Sequence, residues 1–509
     1  MPEPSTQWPR RALAVVLAIA ALRFAILMLG ANRYGYFGDE LYFLAAADHL
    51  DWGYVDFPPL IALVGWLLRH STGVSLIAIH TVSALAGAAT VFLTGMIARE
   101  LAAELYGIAL ACTGFMAAAA FWVMQHLFSM NMFEPLLWMA LAYIVLRLIN
   151  TGNQRLWLWF GVIAGIGMEN KYSIAIFGFA LVVALLFTPE RRALAQRWIW
   201  IGGAIALAIW LPNAIWQTQR GWPFAEFIHN VHMSGRDVSH SPLTYFMSQI
   251  MMLVPTTFPL WFGGLLWLLW NRKYRLLGIA YLVALAVMIA DKGKDYYLAP
   301  IYPLLFAAGA VAFERWAQQR TWAKAAAIVI LAVPTALLLP VVVPVLPIES
   351  YVRYQSKLPF KLPVTERAHA RAAVPHHYAW DFGWEEMVAQ VAKAWNSLTP
   401  EERAKAAIVG ENFGEAGAID LLGPKYGLPH ALSGHQNNWY WGPPNWEPET
   451  YIIVGSDVEG EREHFQDVQV FAELYNPYGA VWENGPVLVC RHRTFASLKD
   501  VWPMMKKWQ

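Results

Sequence analysis

Long apolar stretches recur through the first two thirds of the chain, and short polar segments separate them. A transmembrane helix needs about 20 mostly apolar residues. Because a helix satisfies its own backbone hydrogen bonds, such stretches are stable in lipid, and the pattern predicts a polytopic α-helical membrane protein. We predict eleven spans, of which the fifth and sixth are short: residues 12–31, 76–98, 105–122, 132–149, 156–169, 172–188, 198–217, 246–269, 276–290, 298–314 and 325–347.

The pattern changes after residue 347. A proline-rich segment, PVVVPVLPIESY, leads into shorter apolar runs with polar flanks. AKAAIVGEN, YIIVGSD, QVFAEL and VLVCR are typical of strands, and residues 384–397 and 414–422 are typical of helices. The sequence therefore predicts a membrane domain over residues 1–347 and a small soluble α/β domain over residues 348–509.

The composition agrees with this division. Charged residues make up 14% of the chain, against about 25% in soluble domains. Of the 73 charged side chains, 38 lie in residues 1–347 and 35 in the much shorter remainder. Cys112 and Cys490 fall in different parts, so they predict neither a disulfide framework nor a metal site. The net charge is +1 and we see no basic patch, so we expect no nucleic-acid partner.

The distribution of Lys and Arg predicts the orientation. With the N-terminus in the cytoplasm, the inner loops hold fourteen of these residues and the outer loops seven, whereas eleven of the sixteen acids in residues 1–347 fall outside. An odd number of spans then places residues 348–509 in the periplasm or exterior. The first span is too long for a removable signal peptide and lacks a small-residue cleavage site.

The first outer loop, residues 32–75, is unusually acidic and aromatic. DELYFLAAADHL predicts a helix that lies in the membrane interface, and PPLIALVGWLLRH predicts a second one. Pro58–Pro59 prevents the preceding residues from continuing a helix and holds Asp56 at a bend near the membrane surface. Asp39 and Glu40 could simply favour the helix start electrostatically, and Asp56 could be a solvated loop acid.

A third acidic point favours function over these alternatives. SMNMFEPLLWM places Asn131 and Glu134 at the outer start of the fourth span, where a carboxylate near hydrocarbon is costly without a purpose. Cations follow in MENKYS, which carries Lys171, and in DKGKDYYLAP.

The second cationic segment contains Lys294, Tyr296 and Tyr297 on the outer turn before the tenth span. A lysine beside glycine and tyrosines at the membrane surface suits a phosphate at headgroup depth. The alternative is an ordinary interfacial anchor, which we favour for Lys292.

Five segments together resemble a known family: FGDELY, DFPPL, FSMNMFEPLLWM, ENKYS and GKDYYLAPIYP. They resemble bacterial membrane glycosyltransferases of the protein-mannosyltransferase type, which is glycosyltransferase family 39 in the broad sense, with the lipid A aminoarabinose transferase as a relative. The resemblance covers most of residues 30–310. It implies a GT-C fold with about eleven transmembrane helices, interfacial helices in the first outer loop, a polyprenyl-phosphate sugar as donor and a location in the bacterial inner membrane.

The resemblance also implies roles for particular residues. The aspartate of the first outer loop is catalytic in such enzymes, and Asp39 is the matching position, with Glu40 beside it. Asp56 matches an acid before the prolines, and Glu134 matches an acid near the fourth span. The aminoarabinose enzyme has a lysine where this chain has Phe57.

The cation for the donor phosphate must then come from elsewhere, first from Lys294 and next from Lys171. Asn131, Tyr296 and Tyr297 complete the expected donor and acceptor site. No cofactor is expected to be obligatory, although the clustered acids leave a divalent cation possible.

The predicted function is therefore an inverting hexosyl or pentosyl transferase that acts on an envelope lipid, a glycan or a protein at the periplasmic face. The main alternative is a transporter or lipid-linked-sugar flippase. Transporters usually carry ionisable residues near the bilayer midplane, whereas here they collect at one face, with Arg23 the main exception. A third hypothesis makes the tail a binding module on a membrane anchor, but an anchor has no reason to place acids at three separated outer points. The tail segments GENFGEAGAIDLLG and SGHQNNWYWGPP contain groups that bind sugars; the alternative, loops that pack onto the membrane domain, fits them at least as well.

Overall fold

The computed structural model describes residues 10–234, 241–360 and 372–509. The chain forms two compact units. The first unit, the helical unit, contains residues 1–31, 79–214 and 239–346. The second, the sheet unit, contains residues 32–78, 215–238 and 347–509. The division of the chain into two domains at residue 347 stays a prediction. The compact units are drawn differently, because the first outer loop belongs to the same unit as the C-terminal region.

The helical unit is built from long apolar helices, as the hydrophobic pattern predicts. Six described helices are long and apolar enough to cross a membrane. They are Arg10–Gly30, Leu76–Glu100, Met130–Thr151 (a short 3₁₀ turn followed by Glu134–Thr151), Arg197–Gln219, Asp295–Trp316 (a 3₁₀ turn followed by Tyr302–Trp316) and Thr321–Val342. Two shorter apolar helices, Leu156–Asn170 and Arg275–Ala290, pack among them.

Three further candidate spans are sharply bent pairs. Leu105–Ala117 meets Ala119–His126 at 66°, Ile174–Leu186 meets Pro189–Ala195 at 110°, and Pro242–Met252 meets Pro255–Trp270 at 94°. Helices thus cover all eleven predicted spans, but length and apolarity support six crossings, or up to nine if each bent pair is one span. The count of eleven stays a prediction.

The structure corrects the eighth predicted span, which is not one continuous helix over residues 246–269. Pro255 lacks a backbone N–H, and the residue before a proline is disfavoured in helical conformation. Val254 accordingly has a non-helical ψ of 121°, together with a φ of +68°, and the two helices diverge by 94°. The break was visible in the sequence as VPTTFP.

Arg23, the one ionisable residue that the sequence places within the first span, has a packing role. Its guanidinium is fully buried, donates at 2.7 Å to the Phe121 carbonyl and to Gln125 Oε1, and lies over the rings of Phe115 and Trp122. A buried arginine with these partners ties the first helix to Ala119–His126 and needs no transported ion to explain it.

The sheet unit contains a five-stranded mixed sheet. Its strands are β1 (Ala406–Gly410), β2 (Ala431–Leu432), β3 (Thr450–Val454), β4 (Phe465–Leu474) and β5 (Gly485–Arg493). The order is β2-β1-β3-β5-β4; β1 is parallel to β2 and β3, and β5 is antiparallel to β3 and β4. β1 and β3 are buried along their whole length, which explains their continuous apolar sequences.

Helices surround this sheet. Residues 384–397 and 414–422 were predicted to be helical, and the structure has Trp384–Ser397 and Phe413–Leu422. The remaining helices and 3₁₀ turns of the unit are Gly38–Asp48, Leu60–Arg69, Pro223–Ser234, Ile348–Gln355, His376–Ala379, Pro400–Arg403, Gly423–Tyr426, Asn438–Trp441, Val458–Arg462, Val481–Glu483, Leu498–Val501 and Trp502–Met505.

Both helices predicted in the first outer loop are present. Gly38–Asp48 is buried on nearly every side and packs against Phe413–Leu422, which lies about 370 residues later. Gly417 lies so close to the Leu41 backbone that a side chain there would clash. Leu60–Arg69 instead exposes Leu63, Trp66 and Leu67. The interfacial location of these helices stays a prediction.

Candidate active site

The helix Gly38–Asp48 begins with two acidic residues that have different surroundings. Glu40 is fully buried, and its carboxylate accepts a hydrogen bond from the backbone N–H of Phe37 at 3.0 Å. This bond satisfies a donor that the helix itself leaves unpaired. Asp39 is partly exposed. Glu40 therefore holds the helix start, and Asp39 is the residue of this pair that is partly exposed.

Two other acids of the first outer loop form ion pairs. Asp48 pairs with Arg69 at 2.9 Å. Asp51 pairs with Arg220 at 3.2 Å and accepts a hydrogen bond from the indole of Trp216 at 2.6 Å. The first ion pair ties the two helices of the loop together, and the Asp51 contacts join the loop to Trp216 and Arg220, so both acids have a structural role.

Asp56 belongs to a chain of hydrogen bonds that reaches the C-terminal region. Its carboxylate accepts from the Tyr42 hydroxyl at 2.8 Å, and that hydroxyl accepts from the N–H of Asn437 at 3.1 Å. The Asn437 side chain in turn accepts from the N–H of Val55 at 2.9 Å. Burial, followed by the Asp56 charge, raises the pKa of Tyr42 well above its usual value, so Tyr42 stays protonated and donates.

Phe57, the residue before the two prolines, is part of an aromatic core. It is fully buried, stacks on Tyr54 with ring centroids 4.5 Å apart, and meets Tyr42 and Phe43 edge to face. Pro58–Pro59 follows, directly before the helix Leu60–Arg69. An apolar ring at this position cannot supply the cation for a phosphate.

A second segment of the sheet unit, residues 376–384, packs on the start of Gly38–Asp48. The ring of Trp380 is so close to Gly38 that a Cβ there would lie 2.5 Å from it, and it meets Phe37 edge to face at 5.2 Å. The indole N–H of Trp380 donates to Glu483 at 2.8 Å. Gly38 is thus required by close approach, and Trp380 fixes the backbone that carries Asp39.

Asp381 adds a buried acid beside this helix start. It is 5% exposed, and its Oδ1 has no hydrogen-bond partner among the described residues. Burial, and secondarily the Glu40 charge, raise the pKa of Asp381 well above its usual value. The neutral form is therefore the one that the fold stabilises.

We expect this acid to make stability fall with rising pH. A folded-state pKa above the unfolded value of about 3.9 gives a contribution that is complete below that value and is lost as the pH rises through the folded pKa. Asp381→Asn keeps a neutral group of the same shape, so its melting temperature should exceed wild type at alkaline pH. Thermal unfolding of both proteins and of Asp467→Asn, an exposed control, between pH 5 and 9 checks this. Parallel curves for Asp381→Asn and wild type would contradict it.

In the helical unit, the structure gathers five residues that the sequence singled out. The Lys171 ammonium donates to Asn131 Oδ1 at 2.7 Å and to Glu134 Oε2 at 3.1 Å. It also lies over the rings of Tyr297 at 4.2 Å and Tyr296 at 5.4 Å. These residues span more than 160 positions of sequence, so their convergence is a property of the fold.

The charges of this cluster are buried and paired. The Lys171 and Glu134 side chains are 13% and 2% exposed. The other Glu134 oxygen accepts a hydrogen bond from the Ser173 hydroxyl. A buried ion pair offsets its desolvation only when such further hydrogen bonds complete it. Lys171 is therefore a partner of Glu134 first, and a phosphate would have to compete with that carboxylate.

Lys294 lies beside this cluster in sequence, at the turn before Asp295–Ile301. It is partly buried, and its carbonyl accepts from the Tyr245 hydroxyl at 3.3 Å. The neighbouring Asp295 carbonyl accepts from Gln249 at 3.0 Å. Two side chains of the helix Pro242–Met252 thus hold the backbone of the turn that carries Lys294.

Across residues 10–234, 241–360 and 372–509, no group of three or more His, Cys, Asp and Glu side chains is placed to hold a metal ion. Arg69, Arg220, the Tyr42 hydroxyl and the Phe37 N–H engage four of the acids of the first outer loop, namely Asp48, Asp51, Asp56 and Glu40. That no metal is obligatory stays a prediction.

Solved structures similar to this chain share one membrane fold. ArnT from Cupriavidus metallidurans in the apo state aligns with a TM-score of 0.60 and 16% identity over 93% of this chain and 97% of that one. The same protein bound to undecaprenyl phosphate aligns with a TM-score of 0.59, at the same identity and coverage. The Archaeoglobus fulgidus oligosaccharyltransferase in complex with zinc and sulfate aligns at 0.51, with 12% identity, over 88% of this chain and 68% of that one. The chain therefore has the GT-C fold, with a helical membrane part and a small C-terminal sheet domain.

The sequence comparison agrees with the fold. Residues 56–216 match the family described as dolichyl-phosphate-mannose-protein mannosyltransferase. A comparison with curated proteins found no match. The predicted resemblance to membrane glycosyltransferases of the protein-mannosyltransferase type is confirmed. The matched region includes Asp56, Glu134 and Lys171 but not Asp39 or Lys294.

The structure adds residues that the sequence did not reveal. Ser173 was part of the quoted ENKYS motif but was not assigned, although its hydroxyl follows Lys171 by two positions. Tyr42 lies in FGDELY, and Asn437 lies in the amide-rich SGHQNNWYWGPP. Trp380 and Asp381 follow a pair of histidines in HHYAWDFGW, a cluster of aromatic and polar residues that could have drawn attention.

Proposed function

We propose that the chain is an inverting glycosyltransferase that moves a sugar from a polyprenyl-phosphate donor to an acceptor at the periplasmic face of the inner membrane. The proposal rests on the arrangement of the two acids at the start of the helix Gly38–Asp48, in a chain that has the GT-C fold. There Glu40 is buried as a helix cap, and Asp39 beside it stays accessible. The ArnT structure bound to undecaprenyl phosphate supports a polyprenyl phosphate as the leaving group.

The chemistry needs a base and a cation. Asp39 accepts the proton of an acceptor hydroxyl as its oxygen attacks the anomeric carbon. The bond from that carbon to the phosphate oxygen breaks on the opposite face, which inverts the configuration and releases polyprenyl phosphate. A cation stabilises the charge that develops on the phosphate. Asp56, bonded to Tyr42, would orient a hydroxyl of donor or acceptor.

A direct assay separates a transferase from the transporter alternative. The purified protein in lipid nanodiscs is given a polyprenyl-phosphate-linked sugar and an envelope extract as the source of acceptor. A transferase releases free polyprenyl phosphate, which mass spectrometry detects. A flippase moves the donor and leaves it intact, so an undiminished donor signal in the presence of the extract would argue against transfer.

For the phosphate, we expect Lys294→Met to weaken donor binding while the protein stays folded. Lys294 is partly exposed, and methionine can replace its aliphatic stem. Loss of one charge-assisted contact should weaken binding by about tenfold or more. Titration of the variant with polyprenyl-phosphate sugar measures this, with Lys292→Met as the matched control. Unchanged affinity would move the role to Lys171 or Arg220.

The proposed orientation has its own test. The excess of Lys and Arg in the inner loops and the odd span count predict that residues 348–509 lie in the periplasm. A reporter that is active only in the periplasm, fused after Gln509, should be active. Activity of a cytoplasm-only reporter at the same position would overturn the orientation and the proposed reaction side.

A further inference from the structure

The helix Pro242–Met252 buries two polar side chains inside the helical unit. Tyr245 and Gln249 are four residues apart, so they lie on the same face of this helix, and both are buried, Gln249 completely. The opposite face is apolar and exposed, with Leu243, Met247 and Met251. Burial of a primary amide in an apolar surrounding is costly unless its polar atoms are paired. The partners of Gln249 therefore indicate what this residue does.

Both side chains reach the turn that carries Lys294. The Tyr245 hydroxyl donates to the Lys294 carbonyl at 3.3 Å, and Gln249 Nε2 donates to the Asp295 carbonyl at 3.0 Å. The Lys294 carbonyl also accepts from the backbone N–H of Tyr297 at 3.1 Å. Two successive carbonyls of the turn are thus held by one helix face, and we call Tyr245 and Gln249 the clamp.

The orientation of the Gln249 amide is fixed from its other side. Gln249 Oε1 accepts from the Tyr302 hydroxyl at 3.1 Å, and the Tyr302 oxygen lies 3.1 Å from that of Tyr281. Because Gln249 Oε1 can only accept, the Tyr302 proton points to it, and Tyr281 must donate to Tyr302. The hydrogen bonds therefore run in one direction and turn the amide N–H toward Asp295. Bonds in such a chain strengthen one another.

The break between Pro242–Met252 and Pro255–Trp270 gives the clamp its direction. Val254, at the break, is β-branched and has a φ of +68°, a conformation that favours glycine. Such strained residues persist only where surrounding contacts hold them, and they are concentrated at functional sites. The chain turns by 94° here. A straight continuation of the second helix would carry Gln249 away from the turn at Asp295.

The clamped turn presents the groups that the proposed function assigns to the donor. The Lys294 side chain is partly exposed, and the rings of Tyr297 and Tyr296 lie 4.2 Å and 5.4 Å from the Lys171 ammonium. A lysine carries its charge on a flexible four-carbon stem, so the position of its ammonium depends on how firmly its backbone is held. A group that is ordered before the ligand arrives loses less freedom on binding.

We propose that Gln249, together with Tyr245, is a positioning residue for the donor. Gln249 holds the backbone of the turn so that the Lys294 ammonium meets the phosphate of the polyprenyl-phosphate sugar. This inference rests on the proposed function, in which Lys294 supplies the cation. The effect of Gln249 passes through the Asp295 carbonyl and the turn, and it depends on the presence of Lys294.

A double-mutant cycle between Gln249 and Lys294 tests this role. Gln249→Met keeps the size of the side chain and removes both hydrogen bonds, so the purified full chain should bind undecaprenyl phosphate about three- to tenfold more weakly. In the Lys294→Met background the same substitution should have no further effect, because the lysine that it positions is absent. Ser248→Ala, which removes a 2.8 Å bond to the Tyr245 carbonyl within the same helix, is the matched control and should bind as wild type.

The cycle separates failure of this inference from failure of the proposed function. Wild-type affinity in Gln249→Met, or an equal loss in both backgrounds, would overturn the positioning role alone. Unchanged affinity in Lys294→Met would remove the phosphate role of Lys294 and the positioning role with it. Undecaprenyl phosphate that fails to bind wild type would contradict the proposed function and this inference together.

Tyr245→Phe replaces Gln249→Met in the cycle if that variant fails to fold, because it keeps the ring and removes only the hydroxyl that reaches Lys294. It should weaken binding of undecaprenyl phosphate in the wild-type background and not in Lys294→Met. An equal loss in both backgrounds, or no loss in either, would count against the clamp.

Discussion

Asp39→Asn is expected to lower the rate of sugar transfer by about 10²–10⁴-fold, the contribution of a positioned general base. The amide keeps the shape of the side chain but cannot take a proton. Asp39 lies in the first turn of Gly38–Asp48, and the helix start is held by Glu40 and covered by Trp380. Expression and melting temperature should therefore stay at wild-type values. Release of polyprenyl phosphate by the purified variant measures the effect.

Glu40→Gln is the matched control. Its amide oxygen can still accept the hydrogen bond from the Phe37 N–H, so the helix start is preserved and the loss of rate should be smaller. Transfer by Asp39→Asn at close to the wild-type rate would make Asp39 a residue of the helix start without a catalytic role. An equal loss in both variants would assign the base to the pair and not to Asp39 alone.

Lys171→Met is expected to produce the largest loss of stability. It leaves the Glu134 carboxylate, which is 2% exposed, without its cation, and breaking such a buried pair costs about 3–5 kcal/mol. The double variant Glu134→Gln/Lys171→Met removes both charges and should regain most of this loss. Thermal unfolding in detergent, followed by size-exclusion chromatography, measures both.

The same pair of variants separates structure from binding. A stable double variant that still binds the donor assigns Lys171 to the helical unit's packing, whereas one that has lost donor binding assigns it to the phosphate. A melting temperature of Lys171→Met equal to wild type would show that the ion pair is unimportant. Lys294→Met, at a partly exposed residue, should lower the melting temperature less than Lys171→Met does.

Local patterns predicted much of the fold. The eleven apolar stretches are helical, and four of the five strands of the sheet coincide with apolar runs identified in the sequence. β2 has two residues, too few to leave a pattern. The eighth span was wrong as a continuous helix because apolarity outweighed the signal of Pro255. Periodicity describes which face of a helix is apolar, but it does not reveal the partner, so the packing of Gly38–Asp48 on Phe413–Leu422 was not predictable.

Part of the candidate site could be predicted from the sequence, and part of it could not. Charges beside hydrocarbon are costly, and this cost drew attention to Glu134 and Lys171, with Asn131 close to Glu134 in sequence. The ion pair between Lys171 and Glu134 shows how the cost is offset. Lys171 and Tyr297 were expected in one donor and acceptor site, but their direct contact could not be predicted, since it depends on how the helices pack. The raised pKa of Asp381 could not be predicted from the sequence, because the burial of this acid beside Glu40 arises only when residues 376–384 meet the first outer loop.

The central claim is that the chain transfers a sugar in the cell envelope and uses Asp39 to do so. Mass spectrometry of envelope lipids and glycans tests it most directly, in cells with the wild-type gene, without the gene, and with Asp39→Asn produced at the same level. We predict that at least one glycosylated envelope product disappears without the gene and is not restored by Asp39→Asn. Identical profiles in all three, or full restoration by Asp39→Asn, would contradict the account.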